Sequence, residues 1–396
     1  MRLTSCGVIV EYNPFHNGHK YHLEQARKKS QADVLIAMMS GNFLQRGEPA
    51  IIDKWHRAEV ALKHGADLVI ELPFAYAVQS ADYFAKGGVK LLQSLHVEAL
   101  CFGTDTTKSL DYSEFGKEYV EKETLINLRY KELKNNGQSY PQQMTQIYRE
   151  LLPSVPLDFS SPNHILGMAY AKENARYNTP MSLIPINREG SGYHEEVIQD
   201  QTFSSATGIR KQALENNLSS ISHTLPKESL VDLNHMLLHS WEDYWPLLKY
   251  QLLSHSTDEL AKTYQLTEGI EYRLKECAKK ARNMSEFIEM VKTKRYTWAR
   301  LQRLATYLLL NVTQEEIEQV WNQSYLRVLG FNEIGRQYLK QEKNRSELPI
   351  ITKISQKNES QLSLDIRAGQ IYQLIEKDIA SEQDYYRSPI YLREEC

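Results

Sequence analysis

Short apolar runs alternate with stretches of helical spacing through the first hundred residues. The runs cover residues 6–10, 33–39, 67–72 and 97–102, and are rich in Val, Ile and Leu. Helical candidates lie between them at 16–30, 53–64 and 79–95. Strands alternating with helices of this length predict βαβ units and a parallel sheet. Runs with little polar alternation fit strands covered on both faces. From 111 to about 178 the texture turns helical, interrupted by Pro141, Pro153, Pro156 and Pro162. A fifth strand is predicted at 182–186, so this helical stretch reads as an insertion before the sheet resumes. Ser and Thr open a further helix at 204–216. After about residue 220 the chain reads as helical and charged to near 346. A strand-like run follows at 348–354, where Pro349 restricts any strand to its first residues or a sheet edge. Another helix is expected near 363–378. The fold class is therefore α/β. A Rossmann-like parallel-sheet domain over 1–220, with the insertion at about 111–178, precedes a mainly α-helical domain over 221–396. The boundary falls in the polar stretch 218–226.

Composition narrows the class. The chain has 396 residues, 41% hydrophobic and 24% charged, which excludes a wholly disordered protein. No apolar run approaches the roughly 20 residues of a membrane helix, and no secretory signal is legible in the first 30 residues. The four cysteines are neither a disulfide framework nor at metal-ligand spacing. A cytoplasmic protein with no membrane contact, no metal cluster of its own and no evident obligate protein partner is expected. The net charge of −3 gives no general attraction to nucleic acid.

Ligands of doubly wound sheets sit beyond the carboxyl ends of the strands. The segment that follows the first strand is Glu11-Tyr12-Asn13-Pro14-Phe15-His16-Asn17-Gly18-His19. His16 and His19, three apart at a helix start, lie on neighbouring turns. Gly18 between them lets a ligand approach the backbone. A helix N-terminus offers N–H groups and partial positive charge, which favour phosphate. Imidazole N–H donors aimed at the same place stabilise charge on a phosphate in flight. The expected role is a polyphosphate cradle for attack at the α-phosphate of a nucleotide, with His16 and His19 catalytic. Farther on, Ser205-Ala206-Thr207-Gly208-Ile209-Arg210-Lys211 offers a capped helix start and, in Arg210, a phosphate partner.

His16-Asn17-Gly18-His19 resembles the HxGH signature of the nucleotidyltransferase superfamily. Ser205 to Lys211 is similar to its ISSTxIR signature, departing from it at Ala206. The strings VEYNPFHNGHKYHL, MSGNFLQRGEPAIIDKW, ELPF, FGTD, SSPNHILG, INREGSGYH and TKRYTWARLQR span residues 10 to 303. Together they resemble the bacterial tRNA(Met) cytidine acetate ligase family. The resemblance implies an ATP-dependent ligase that activates acetate as acetyl-AMP. It then acetylates N4 of the wobble cytidine of elongator tRNA(Met), with Mg²⁺ arriving on ATP. By motif position it implies ATP contacts along Ile9, Val10, Glu11, Tyr12, Asn13, Pro14, Phe15, His16, Asn17, Gly18, His19, Lys20, Tyr21 and His22. It adds Gly103, Asn163, Arg188, Thr207 and Arg210. Asn163 is equally readable as a helix cap, and Arg188 as one half of a surface ion pair. Asn42, Gln45, Arg46, Lys54 and Arg57 suit either the entry of acetate or RNA, or a solvated helix face.

Residues 273–303 hold ten Lys and Arg against three Glu, in a chain that is acidic elsewhere. Lys279, Lys280, Arg282, Lys294, Arg295, Arg300 and Arg303 are the candidates for RNA phosphate contact. Tyr296, Trp298 and Tyr307 read as core instead. Lys353-Ile354-Ser355-Gln356-Lys357 only superficially resembles the KMSKS loop of class I synthetases. Two other functions suit the same nucleotide motif. One is an adenylyltransferase acting on a small phosphorylated metabolite, which leaves the basic region without a role. The other is a non-catalytic RNA-binding protein that keeps a nucleotide pocket.

Overall fold

A computed structural model of the chain describes residues 2–105, 110–133, 138, 140–152, 161–187, 205–267, 269–376 and 383–393. Eight strands form one sheet: β1 (Ser5–Val10), β2 (Val34–Ser40), β3 (Leu68–Leu72), β4 (Ala99–Thr104), β5 (Ser182–Asn187), β6 (Leu326–Phe331), β7 (Ile350–Ile351) and β8 (Ile390–Tyr391). The first five lie where the apolar runs place them, and β4 continues through Gly103, which the sequence reading had put after the strand. Their order in space is β5-β4-β1-β2-β3-β6-β7, with β8 against β6. β1 to β5 pair in parallel, and β6 runs antiparallel to β3.

β6 corrects the helical texture expected from 220 to 346. Its sequence, Leu326-Arg327-Val328-Leu329-Gly330-Phe331, is broken by an arginine that is only 1% exposed. Arg327 Nη2 donates to the Asp384 carbonyl at 2.9 Å, and its guanidinium lies over the Trp55 ring at 5.8 Å. The sheet thus draws strands from both sides of residue 220.

β2 shows why the parallel strands read as continuous apolar runs. Val34, Ile36 and Met38 enter the core on one face of the sheet, and Leu35, Ala37 and Met39 enter the core on the other. Either face of such a strand left in water would forfeit roughly 1.5–3 kcal/mol per large side chain. The helices Asn17–Ser30 and Lys54–Lys63 cover the second face, burying Leu23, Ala26, Trp55 and Ala58. The helix Ala81–Ser94 covers the first, through Phe84, Val89, Leu91 and Leu92. Among the described residues, three helices separate β4 from β5: Tyr112–Leu133, Tyr140–Leu151 and Pro162–Asn174. They are the predicted insertion, and Pro162 stands at the first helical position, where its missing N–H costs nothing. Among the described residues no helix is long and apolar enough to cross a membrane.

Candidate active site

β1 has β2 on one side and β4 on the other. The chain leaves β1 toward β2 and β3, and leaves β4 toward β5, so the strand order reverses between β1 and β4. A crevice opens at such a point, above the carboxyl ends of the strands. The turn after β1 and the end of β4 are its two walls.

In the first wall, Tyr12 takes a left-handed conformation (φ 50°) and Asn13-Pro14 is cis. Tyr12 and Phe15 are 0% and 1% exposed. They belong to the core, and their rings pack edge-on at 4.8 Å. Asn13 is also buried, and its Oδ1 accepts the Ile51 N–H at 2.7 Å. These three residues shape the turn from beneath. They hold up the two histidines, with the Tyr12 ring centroid 4.9 Å from that of His19.

His16 is the N-cap of the helix Asn17–Ser30. Its Nδ1 accepts the Gly18 N–H at 3.0 Å, and the His19 Nδ1 accepts the His16 N–H at 3.3 Å. The rings stack with centroids 3.7 Å apart. An Nδ1 that accepts a hydrogen bond leaves the proton of a neutral imidazole on Nε2. The turn therefore fixes both tautomers and makes each Nε2–H a donor. This corrects one expectation. The Gly18 and His19 N–H groups, foreseen as phosphate donors, are bonded to His16 within the turn.

In the second wall, β4 ends at Gly103 and Thr104, followed by Asp105. Asp105 Oδ2 accepts from Asn163 Nδ2 and from Ser161 Oγ, both at 2.7 Å. Ser161 is the N-cap of Pro162–Asn174, so Asn163 is not the cap. Its amide is turned toward the end of β4 and tethered there. Tyr112 Oη links Thr104 Oγ1 (2.9 Å) to His164 Nδ1 (2.8 Å) beneath the same corner. Asp105 lies in the segment Gly103–Asp105 just after the fourth apolar run, where a doubly wound sheet is expected to meet its ligand, though the sequence gives it no role of its own.

Arg210 joins these walls from a distant part of the chain. It lies on the helix Ala206–Leu214, capped by Ser205. Its guanidinium donates to the Asn13 carbonyl at 2.9 Å and to Thr207 Oγ1 at 3.4 Å, and pairs with Glu48 at 3.3 Å. The predicted phosphate partner thus reaches the nucleotide turn. Asn17 donates to the His223 carbonyl at 3.0 Å. Tyr21 and His22 are half-buried on the helix, Lys20 is exposed, and Ile9 and Val10 complete β1. Arg188 lies outside the described residues.

A family model described as HIGH Nucleotidyl Transferase matches residues 3–387. This chain belongs to the HIGH nucleotidyltransferases. Within them its curated relatives are tRNA(Met) cytidine acetate ligases. The protein of that name from Latilactobacillus sakei is 41% identical, covering 99% of this chain and 98% of the relative. That from Listeria monocytogenes is 42% identical, covering 95% and 96%. Two solved structures of Thermotoga maritima TmcAL are 31% identical to this chain, and each match covers 99% of this chain and all of the other. The apo form has a TM-score of 0.91, and the form bound with alpha-thio ATP one of 0.89.

The turn after β2 is built into the site of this HIGH nucleotidyltransferase. The Glu11 carboxylate accepts the Gln45 N–H at 2.7 Å, and burial raises its pKa. Arg57, 2% exposed, donates to the carbonyls of Ile52 (2.9 Å), Glu11 (2.6 Å) and Ser40 (3.2 Å). Lys54, 1% exposed, pairs with Glu71 at 2.8 Å and Asp384 at 2.6 Å. Neither is on a solvated face. Arg57 fastens the turn after β1 to the end of β2, and Lys54 ties the start of its helix to β3 and to Asp384.

The basic region divides. Arg273 donates to the carbonyls of Val291 and Met290, and Lys275 to those of Leu252 and His255. These two charges cap helices. Lys279 and Arg282 are exposed and pair with Glu276 and Glu286. Such exposed pairs hold their partners weakly. Lys280, Lys294 and Arg295 are exposed, and Arg300 and Arg303 are half-buried. Tyr296 and Tyr307 are core, and Trp298 is half-buried.

Proposed function

We propose that this chain is an ATP-dependent tRNA(Met) cytidine acetate ligase. Acetate is activated as acetyl-AMP, and the acetyl group passes to N4 of the wobble cytidine of elongator tRNA(Met). The observation that carries this is the fixed pair of Nε2–H donors of His16 and His19, in a chain alike end to end to proteins of that name.

The chemistry follows from the residues. Acetate is an anion at neutral pH, so its attack on the α-phosphorus needs no general base. An acetate oxygen forms a bond to phosphorus, the bond to the bridging oxygen breaks, and pyrophosphate departs with the electron pair. The Nε2–H groups and Arg210 meet the charge that builds on the phosphates, and they are oriented before the reaction begins. Gly103 and Asn163 suit the nucleoside end, and the stretch Ile9–His22 with Thr207 forms the rest of the ATP site. Mg²⁺ arrives on the triphosphate, held by its oxygens and by water. The cytidine amine then attacks the acetyl carbonyl, AMP leaves with the bonding pair, and the amine proton is lost to solvent. Positioning supplies most of this second step. The mainly helical part after residue 220 carries the tRNA, through Lys279, Lys280, Arg282, Lys294, Arg295, Arg300 and Arg303.

Nucleoside analysis of tRNA incubated with the protein, ATP and acetate tests the proposal. N4-acetylcytidine at the wobble position, dependent on both ATP and acetate, is the expected product. Pyrophosphate release that ignores acetate and requires a phosphorylated metabolite would replace this reading with an adenylyltransferase. Tight tRNA binding without turnover would leave a non-catalytic RNA-binding protein.

A further inference from the structure

The turn after β2 does more than line the crevice. Gln45 links the wall after β1 to the basic region: its N–H donates to Glu11 at 2.7 Å, and its carbonyl accepts from Arg303 at 3.5 Å. Two residues on, Gly47 has φ 78°, and its carbonyl accepts from Trp241 Nε1 and Thr306 Oγ1, both at 2.8 Å. A Cβ at Gly47 would collide with the backbone of Arg303, so the turn lies directly on the helix Trp298–Leu309. Glu48, at the end of the turn, is paired with Arg210. The turn is therefore bonded at one side to the nucleotide site and at the other to the helix that carries Arg300 and Arg303.

Three arginines meet at this joint: Arg46 stands between Gln45 and Gly47, which both contact Arg303, and Arg300 and Arg303 lie on the facing helix. Arg300 and Arg303 are one helical turn apart on the same face. The Arg300 guanidinium lies over the Tyr296 ring at 4.3 Å, with a hydrogen bond to the Arg295 carbonyl at 3.3 Å. Its position is thus set before any ligand arrives. Burial weighs against the Arg303 charge, and so do the neighbouring charges of Arg300 and Arg46. Like charges held together lower one another's cost when they share an anion, and arginine suits phosphate geometry.

We infer that Arg46, Arg300 and Arg303 form a phosphate site at the joint between the sheet and the helical part, and that it takes an RNA backbone phosphate next to the target cytidine. The inference rests on the proposed function and gives it a register. A phosphate held one residue from Glu11 sets the distance between the target base and the nucleotide crevice. Exposed charges such as Lys279 and Arg282, which pair with acids on their own surface, add affinity without that register.

The test combines protein and RNA changes in tRNA transcripts that wild-type protein acetylates. One transcript carries a neutral methylphosphonate at a phosphate flanking the target cytidine, and a control carries it far from the anticodon loop. Arg300→Ala and Arg46→Ala should each weaken tRNA binding about tenfold and flatten the slope of log K against log salt by about 0.7–0.9. The flanking methylphosphonate should weaken wild-type binding to a similar degree, and weaken the Arg300→Ala protein by less than twofold more. The remote one should add its full effect to that of the variant. Losses that multiply for the flanking phosphate, or arginine variants that bind as wild type does, would overturn the site. Failure of wild-type protein to acetylate any tRNA would instead overturn the function on which the site rests.

Discussion

Replacing His19 by Ala should reduce acetate-dependent exchange of pyrophosphate into ATP by about 10²–10³-fold, the usual loss for one preorganised donor to a developing oxyanion. His16→Asn should do the same. The two variants remove an Nε2–H donor in different structural settings. His16 also caps its helix, through the Nδ1 that accepts from Gly18. Asparagine is a strong N-cap residue, so this variant keeps a cap acceptor while it loses the donor. Circular dichroism should show unchanged helix content for both, and tRNA affinity should stay within about twofold of wild type. A uniform loss of exchange and tRNA binding would show that the turn holds the fold together and contributes no donors.

The second large effect is on stability. Lys54 is a cation of a buried cluster, between Glu71 at 2.8 Å and Asp384 at 2.6 Å. Lys54→Met keeps the length of the side chain and removes its charge, leaving the buried carboxyls of Glu71, Asp384 and the neighbouring Asp365 with one fewer cation beside Arg327. Removing one member of a buried ion pair costs about 3–5 kcal/mol. The sign of the pH dependence follows from Glu71, whose carboxyl burial pushes up to about 7 against the pull of Lys54. An acid with a raised folded pKa destabilises as pH rises above its unfolded value of about 4.5. Without Lys54 the pKa rises further, so the deficit of the variant should be smaller at pH 5 than at pH 8. Urea denaturation at both values measures it. An equal deficit at the two pH values would mean that the carboxylates are not titrating in the fold.

The same two residues show what was legible in the sequence. The strands β1 to β4 announce themselves because nearly every residue in them is buried, which leaves short apolar runs, while β5 at the sheet edge is largely half-buried. The histidine turn announces itself because tight turns demand unusual residues at fixed spacing. Lys54 and Arg57 gave the opposite signal. Basic side chains three apart at a helix start look solvated, and their partners sit far away in the chain: Glu71, Asp384 and the carbonyls of Glu11 and Ser40. Burial of a charge is decided by such partners, and a local window holds only the Ile52 carbonyl among them. β6 was hidden for a related reason. Arg327 breaks its apolar run, and the carbonyl that accepts it belongs to Asp384. In the basic region, a count of charges does not reveal that Arg273 and Lys275 are used on helix ends. The joint at Gly47 was visible only as a glycine in a long polar string, since its left-handed backbone meets a helix more than two hundred residues later.

The most direct test is a crystal structure with a non-hydrolysable ATP analogue. The expected map shows the α- and β-phosphates within hydrogen-bond distance of Nε2 of His16 and His19, with Arg210 redirected from the Asn13 carbonyl to the triphosphate. A nucleotide bound elsewhere, with neither histidine in contact with a phosphate, would contradict it.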